Sequence, residues 1–225
     1  MSIADVCNRY RGRDPATGFP LLEKAPLGPL CWYLRRRDSA MYPPNPSGSS
    51  SIAPEHLHLV YRWALQILTA LSTIHSKEMI HMDVQSTESC RLREDLSLAL
   101  VGFVGSSFWN LRGERFLDSS SNWETRLETS NSWEHKVPDD KHDLYDWASI
   151  VYRLMTDHCT SDDMFKTKDF PKLEDEKLGG FVRRCWEGEY EKASDLSRDV
   201  VAYLREQGVD VEGDDIRGFE YQEFL

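Results

Sequence analysis

The sequence predicts an α+β protein that is mainly helical. Residues 55–76 carry apolar side chains at every third or fourth position, and residues 141–156 are apolar almost all round, so both are expected to be core helices. Short apolar runs bounded by turn residues, such as DLSLALVGF at residues 95–103, suggest small β-hairpins. A chain of 225 residues with 40% apolar composition can bury one sizeable core.

The first elements along the chain are predicted to be extended. Residues 7–11 and 19–23 are strand candidates, and the turn RDPATG between them has the proline and glycine that suit a hairpin. The segment GPLCWYLRRR, residues 28–37, follows as a short helix with Pro29 just inside its start. Residues 42–51, YPPNPSGSSS, form a breaker-rich loop.

The C-terminal half is predicted to consist of helices separated by one long loop. Residues 112–140 hold few apolar periods and should be mostly loop. Two helices are expected after the central one, near residues 176–186 and 192–206. The acidic tail spans residues 207–225. Its expected docking contacts are only Phe219, Tyr221 and Phe224.

Charge and composition argue against several function classes. The formal net charge is −11, which disfavours nucleic acid and anionic membranes as partners because the long-range field repels both. No apolar run approaches the roughly 18 residues of a membrane helix, and the start of the chain lacks the apolar segment of a signal peptide. The five cysteines are scattered without CxxC pairing, which predicts reduced thiols in a cytoplasmic protein rather than a zinc site or disulfides.

The candidate chemistry lies in IHMDVQSTESCRLREDLSLALVGFVGS, residues 80–106. His81 and Asp83 form a His-x-Asp motif directly after the 55–76 helix. A carboxylate presented by a loop can accept a proton from a substrate hydroxyl. The same residue also suits a structural role, in which it caps the loop through backbone amides.

Taken in order, these pieces resemble the C-terminal lobe of the eukaryotic protein kinase fold, in particular the degenerate kinase-like proteins of filamentous fungi. GRDPATGFPLLEKAPLGPLCWYLRRR is similar to the last small-lobe strands, the hinge and the next helix. MIHMDVQSTES is similar to the catalytic loop, LALVGFVGS to the Asp-Phe-Gly segment, KHDLYDWASIVYRLMT to the central helix, and FVRRCWEGEYEKASDLSRDV to the final helices. The resemblance covers residues 7–206. It implies small-lobe remnants at 1–24, the lobe at 25–206 and an acidic tail at 207–225.

The resemblance gives each candidate site residue a role. Asp83 takes the place of the catalytic base. Glu23 and Ala25 take the hinge positions, which would hold adenine weakly if at all. Glu88 stands where the family has an asparagine metal ligand, and Gly102 stands where it has the metal-binding aspartate. No metal ligand is therefore expected.

Other positions are implied to be architectural. His81 and Phe103 are expected to stack in an apolar spine. Asp143 is expected to accept hydrogen bonds from the backbone near His81 and Met82, and Trp186 to fill the core. The residues that would hold the lobe together are thus retained, whereas those that would carry the chemistry are replaced.

These residues predict a catalytically inactive protein kinase-like module, a pseudokinase or truncated paralogue that acts through protein contacts. The strand lysine and the Gly-rich loop of active kinases are not expected among the residues before residue 7, and no cofactor is expected. A second hypothesis is an active Ser/Thr protein kinase, alone or completed by another chain, that uses Asp83 as base with ATP and Mg²⁺. A small-molecule phosphotransferase and a decayed gene product are the third and fourth hypotheses.

A protein partner is also implied. Leu21, Leu22 and Leu100 are expected to be exposed where a small lobe would otherwise cover them. Another kinase-like chain or a chaperone would cover such a patch.

Overall fold

The fold is known from a computed structural model, which describes residues 10–44, 51–110, 112–116, 138–161, 164, 167–218 and 220–225. These ranges hold five α-helices and nine short strands, and all strand pairs are antiparallel. The fold class is therefore α+β, as predicted.

The helices agree with the sequence prediction to within a few residues at each end. They are α1 (Leu30–Met41), α2 (Leu57–His75), α3 (Asp140–Thr156), α4 (Gly179–Trp186) and α5 (Ala193–Glu206).

One correction concerns the start of α1. Pro29 is the residue before the helix rather than part of its first turn, and its backbone is extended, with ψ of 145°. Proline fixes only φ, so both positions are open to it and the sequence does not decide between them.

The strands form small sheets rather than one large sheet. β1 (Tyr10–Arg13) pairs with β2 (Pro20–Leu22), which confirms the predicted N-terminal hairpin within the described residues. β3 (Gly28–Pro29), β4 (Cys90–Leu92) and β5 (Leu98–Leu100) form a three-stranded sheet in that order.

Two further strand pairs lie in the second half of the chain. β6 (Phe108–Trp109) pairs with β7 (Arg115–Phe116), so the predicted loop at 112–140 begins with a strand. Much of that loop, residues 117–137, lies outside the described residues, as do residues 45–50 of the predicted loop at 42–51. β8 (Val211–Glu212) pairs with β9 (Asp215–Ile216).

The core lies between α2 and α3. Trp147 of α3 is fully buried, and its indole N–H donates to the backbone oxygen of Ala64 in α2 at 3.0 Å. Trp63 of α2 is also fully buried and donates to the backbone oxygen of Leu96 at 2.8 Å. Each tryptophan thus fills the core and satisfies its polar atom. The predicted packing of the two long helices is confirmed.

The hairpin predicted at residues 95–103 is shifted along the chain. Its second strand, β5, pairs with β4, so the hairpin runs from Cys90 to Leu100 and Gly102 has already left it. Cys90 and Leu92 are buried while Arg91 between them is only half-buried. An alternation of three residues is too short to predict a strand.

The prediction for the tail is wrong about its docking contacts. Val211 and Ile216 of the β8–β9 hairpin are buried in the main core. Arg62 of α2 donates from Nε and Nη2 to the two carboxylate oxygens of Asp215, at 2.7 and 3.2 Å. Two-point pairs of this kind are strong and directional, so the tail hairpin is an integral part of the fold.

The segment after this hairpin docks as well. Tyr221 and Phe224 pack partly buried against the core, as predicted, while Phe219 lies outside the described residues. The hydroxyl of Tyr33 donates to the backbone oxygen of Phe224 at 2.8 Å. The Phe224 ring meets the ring of His56 edge-on at 5.1 Å.

The N-terminal hairpin exposes large apolar side chains. Phe19, Leu21 and Leu22 are 71%, 42% and 56% exposed. The predicted exposure of Leu21 and Leu22 is thus confirmed, but that of Leu100 is wrong, because Leu100 is fully buried in β5. All three residues of β5 are buried, so the strand has no alternation of apolar and polar residues. Its sequence therefore does not show which side chains face the solvent.

Candidate functional site

Side chains of α3 form hydrogen bonds with the backbone of the loop that carries the His-x-Asp motif. Asp143 lies in the first turn of α3 and is fully buried. Its Oδ2 accepts the backbone N–H of His81 and its Oδ1 that of Met82, both at 2.8 Å. Buried backbone donors need such acceptors, since an unsatisfied one costs about 1–3 kcal/mol. The predicted contacts of Asp143 are confirmed.

A second carboxylate of α3 extends this support. Asp146 is buried one turn after Asp143, and its Oδ2 accepts the backbone N–H of Val84 at 3.1 Å. Met82 has a φ of 72°, a left-handed conformation that a side chain of this size adopts only when the surroundings hold it. The two carboxylates therefore fix the backbone on both sides of Asp83.

His75, the last residue of α2, is a third partner of Asp143. Its Nε2 lies 2.8 Å from Asp143 Oδ2. Burial alone would raise the pKa of Asp143, but the hydrogen bond from His75, the two neighbouring histidine rings and the His81 backbone amide lower it overall. Asp143 is thus a carboxylate at neutral pH, and the His75 Nε2–H is the donor.

His81 is fixed in one orientation. Its Nε2 lies 2.7 Å from the backbone oxygen of Val101, and its Nδ1 accepts the backbone N–H of Asp83 at 3.3 Å. The two contacts define the tautomer with the proton on Nε2. The Phe103 ring packs edge-on against His81 with centroids 4.9 Å apart. The predicted contact between His81 and Phe103 is confirmed, but the rings meet edge-on and do not stack.

Asp83 is half-buried and bound within the protein. The hydroxyl of Ser89, a buried residue, donates to Asp83 Oδ2 at 2.7 Å. Gly102 lies beside the same hydroxyl with a φ of 83°, and a Cβ at Gly102 would be 2.8 Å from Ser89 Oγ. The Ser89 hydroxyl therefore occupies the space between Asp83 and the position where a side chain of residue 102 would begin.

Glu88 is exposed and faces a different region. It lines a cleft of about 500 Å³ between α1 and the end of α3, together with Arg35, Asp38, Arg153 and Asp157. Asp83 and Gly102 do not line this cleft. Within the described ranges, no group of three or more His, Cys, Asp or Glu side chains is arranged to hold a metal ion.

Cys90, the residue after Ser89, carries a thiol that is a potential nucleophile. Its side chain is fully buried, and burial, with a smaller effect of the Asp83 charge, raises the pKa of the thiol to about 12. Because the thiolate is the reactive form, Cys90 is a packing residue of β4 rather than a nucleophile.

The predicted hinge residues are partly engaged in local contacts. Glu23 Oε1 accepts a hydrogen bond from exposed Arg11 at 3.3 Å. Ala25 is buried, and its backbone oxygen accepts the N–H of Gly28 at 3.1 Å in a tight turn. The Ala25 oxygen therefore serves the turn that leads into β3.

Trp186 lies in the core, away from the His-x-Asp loop. Its indole N–H donates to Ser149 Oγ of α3 at 3.2 Å. Its ring stacks on Phe170 at 5.2 Å and meets Tyr152 edge-on at 5.6 Å. These contacts join α4 to α3, which confirms the predicted core position.

Sequence reasoning missed three residues of this site. Asp146 had a signal, since a carboxylate three residues after Asp143 lies on the same helix face and reaches the same loop. His75 had a weaker one, as a histidine at a helix C-terminus. Ser89 had none, because its contact with Asp83 depends on how the loop turns back on itself.

No model of a known protein family matches the chain, and no curated protein matches it either. In the part of the chain that the structure describes, no helix has the length and apolar character needed to cross a membrane.

Proposed function

We propose that the chain is a protein kinase-like module without phosphotransfer activity, a pseudokinase that acts through protein contacts. The environment of Gly102 is the observation that carries this proposal. In the family that the sequence resembles, an aspartate at this position binds the Mg²⁺ that bridges the ATP phosphates. Here the position offers no side-chain oxygen, and the Ser89 hydroxyl lies 2.8 Å from the point where such a side chain would begin. The residues present do not fit the metal.

The charges around Asp83 support the same conclusion. Phosphoryl transfer is accelerated by groups that neutralise charge developing on the phosphate. Met82 and Gln85 stand where the family has an arginine and a lysine, so two cationic side chains are absent from the loop. Asp83 itself is bound to Ser89 at 2.7 Å. The site retains a fixed loop without the electrostatic groups of a phosphotransferase.

Exposed apolar side chains support a role in protein contacts. Phe19, Leu21 and Leu22 are exposed on the β1–β2 hairpin, and Val104, beside the candidate site, is 85% exposed. Apolar surface of this kind is typical of sites that another protein covers.

Nucleotide titration tests the proposal. ATP is added to the protein in a calorimeter with and without MgCl₂, and the thermal midpoint is measured under the same conditions. We expect no binding heat and no shift of the midpoint that depends on Mg²⁺, because the site lacks the carboxylate that would ligate the metal between the phosphates. Tight ATP binding that requires Mg²⁺ would contradict the proposal.

An active Ser/Thr protein kinase with Asp83 as base is the second candidate. The rigid fixation of the loop by Asp143 and Asp146 favours it, since catalysis requires a base held in place. Phosphate transfer from ATP to a serine peptide is the test. Transfer that is lost in Asp83→Asn, but kept in the matched charge variant Asp195→Asn of α5, would establish the second candidate and reject the first.

A further inference from the structure

A second cavity lies beside α1, separate from the cleft that contains Glu88. Its volume is about 340 Å³, within the range of about 300–1,000 Å³ that is usual for small-molecule sites. The cleft of Glu88 includes Arg35 and Asp38 of α1 in its lining. The second cavity is lined by other residues, namely Leu27, Tyr33, Arg36, Arg37 and Leu225. At helical spacing these two sets of α1 residues point to opposite faces of the helix.

The uncharged walls of this cavity are mainly apolar and come from three parts of the chain. Leu27 precedes β3 and packs partly buried against the core. Tyr33 of α1 is 8% exposed, and its hydroxyl is already bound to the backbone oxygen of Phe224. Leu225, which follows Phe224 in the tail, is 51% exposed. Since the Tyr33 hydroxyl is engaged, its ring is the surface that remains for a ligand.

Two guanidinium groups border these apolar walls without a counter-charge. Arg36 is exposed and Arg37 is half-buried. The chain carries 38 acidic and 27 basic residues, so carboxylates outnumber cationic groups. Nevertheless, among the described residues neither arginine forms an ion pair, although Glu220 and Glu223 belong to the tail segment that borders the cavity. Burial raises the pKa of Tyr33 to about 12 while the charge of Arg37 opposes the rise, so Tyr33 stays uncharged and does not balance the arginines.

Unpaired guanidinium groups beside an apolar surface favour one class of ligand. A guanidinium binds a carboxylate through two parallel hydrogen bonds, and apolar walls bind an aromatic or aliphatic body. A phosphate monoester carries nearly two charges at neutral pH, so its transfer from water into a mainly apolar cavity costs more. Trp32, one turn before Arg36, is 52% exposed and adds an aromatic ring to the same face of α1.

We propose that this cavity binds a small carboxylic acid with an apolar body. The carboxylate pairs with Arg36 and Arg37, and the body packs on Leu27, Tyr33 and Leu225. Because the walls belong both to α1 and to the tail, the bound acid also strengthens the attachment of the tail to α1. The site is separate from the His-x-Asp loop, and it does not depend on the proposed function.

Calorimetric titration of the unmodified protein with phenylacetate tests the proposal. We expect a dissociation constant of about 1 mM or lower. Phenylacetamide keeps the ring without the charge, and acetate keeps the charge without the ring, so each should bind at least about tenfold more weakly. No binding of phenylacetate at about 10 mM, or equal binding of phenylacetate and phenylacetamide, would overturn the proposal. Tighter binding of phenyl phosphate than of phenylacetate would overturn the assignment to a carboxylate.

Single substitutions locate the carboxylate. Arg36→Gln and Arg37→Gln should each weaken phenylacetate binding by about tenfold, because each removes a charged donor, and should leave the weak binding of phenylacetamide unchanged. Arg35→Gln is the matched control, since it removes the same charge from the next residue of α1 but faces the cleft of Glu88. It should bind phenylacetate as the unmodified protein does. A control that lost as much affinity as the other two variants would assign the effect to the overall charge and overturn the proposal.

Hydrogen exchange of the unmodified protein tests the contact with the tail. In the tail, the backbone N–H of Glu223 donates to the backbone oxygen of Glu220 at 3.2 Å. Phenylacetate at saturation should slow the exchange of this amide, because a ligand that binds the docked tail stabilises it. The same concentration of acetate should not change the exchange. An unchanged rate with saturating phenylacetate would show that Leu225 is not part of the site and would overturn the proposed placement.

Discussion

The inner and outer sides of the His-x-Asp loop differ in how their polar groups are bound. On the inner side, His75, Asp143 and Asp146 are buried, and each contacts the loop backbone or another buried group. On the outer side, Glu88 is exposed and Asp83 is half-buried with Ser89 as partner. Hydrogen bonds from the loop backbone to carboxylates of α3 therefore fix the loop, whereas the candidate catalytic side chains on the outer side do not.

This difference has a thermodynamic reason. A buried donor that loses its acceptor destabilises the fold by its full desolvation free energy. An exposed carboxylate can be replaced at little cost, because water hydrates both the old and the new side chain. The outer side can therefore change its residues with little effect on stability, while the inner side cannot. The buried side of the loop should therefore tolerate fewer substitutions than the exposed side.

The largest effect should come from Ile150→Asp in the middle of α3. Ile150 is fully buried, and an uncompensated carboxylate there should cost at least about 3–5 kcal/mol and abolish the fold on which both sides of the loop depend. Circular dichroism during heating checks this result. Ile150→Val, as a control, should remain folded with a loss of about 0.5–1.5 kcal/mol. A cooperative thermal transition in Ile150→Asp would show that α3 is not the centre of the core.

Asp143→Ala should have the next largest effect. It leaves the amides of His81 and Met82 and the Nε2–H of His75 without an acceptor, at about 1–3 kcal/mol for each donor that finds no water. Urea unfolding at neutral pH should show a loss of about 2–4 kcal/mol.

The pH dependence sharpens this test. Since the pKa of Asp143 is lowered in the fold, its contribution is lost as the pH falls, so the difference between Asp143→Ala and the unmodified protein should shrink in acid. A difference that grew on acidification would mean that Asp143 is protonated in the fold.

Gly102→Ala should have a moderate effect and tests a steric constraint on the outer side of the loop. The left-handed backbone of Gly102 costs an alanine about 1–2 kcal/mol, and the contact with Ser89 Oγ adds to it. Ser89→Gly removes that contact. In this background Gly102→Ala should lower the free energy of unfolding only by the cost of the left-handed backbone. A double-mutant cycle by urea unfolding measures the coupling. Additive costs would show that the Ser89 hydroxyl does not fill the space beside Gly102.

Asp83→Asn and Glu88→Gln should have the smallest effects, within about 0.5 kcal/mol. The amide oxygen that Asp83→Asn introduces can still accept from Ser89, and the Glu88 side chain is exposed. Thermal midpoints of both variants, compared with that of Asp143→Ala, check the contrast between the two sides. If Asp83→Asn lowered the thermal midpoint as much as Asp143→Ala does, the two sides of the loop would not differ in their importance for stability.

The helical part of the fold could be predicted because its signal is local. The apolar stripes of α2 and α3 repeat over 19 and 17 residues, so their type and contact follow from spacing alone. The β4–β5 pairing and the tail hairpin could not be predicted in this way. Their strands have two or three residues, and their stability depends on partners distant in the chain.

The candidate site was predictable to a similar degree. The contacts of Asp143 and a contact between His81 and Phe103 were expected from the resemblance and are present, although the two rings meet edge-on rather than stacked. The contact between Ser89 and Asp83 was not, because a serine in a loop carries no periodic signal and its hydroxyl can turn toward many partners. A contact that depends on the rotamer of one loop side chain cannot be predicted from the spacing of residues in the sequence.

The ion pair between Arg62 and Asp215 has a consequence for the order of folding. It joins residues that are 153 positions apart, and the Arg62 side chain is 6% exposed. Arg62 also pairs with Asp95, at 3.3 Å, but a buried guanidinium that lacks part of its counter-charge is costly, so packing of α2 into the core is expected to be less stable until residue 215 has been synthesised. During translation, stable packing of α2, the helix that leads into the His-x-Asp loop, therefore depends on the β8–β9 hairpin, which is synthesised much later. Such long-range closure is slow, and the nascent chain is expected to remain open to proteases until the ribosome has passed that position.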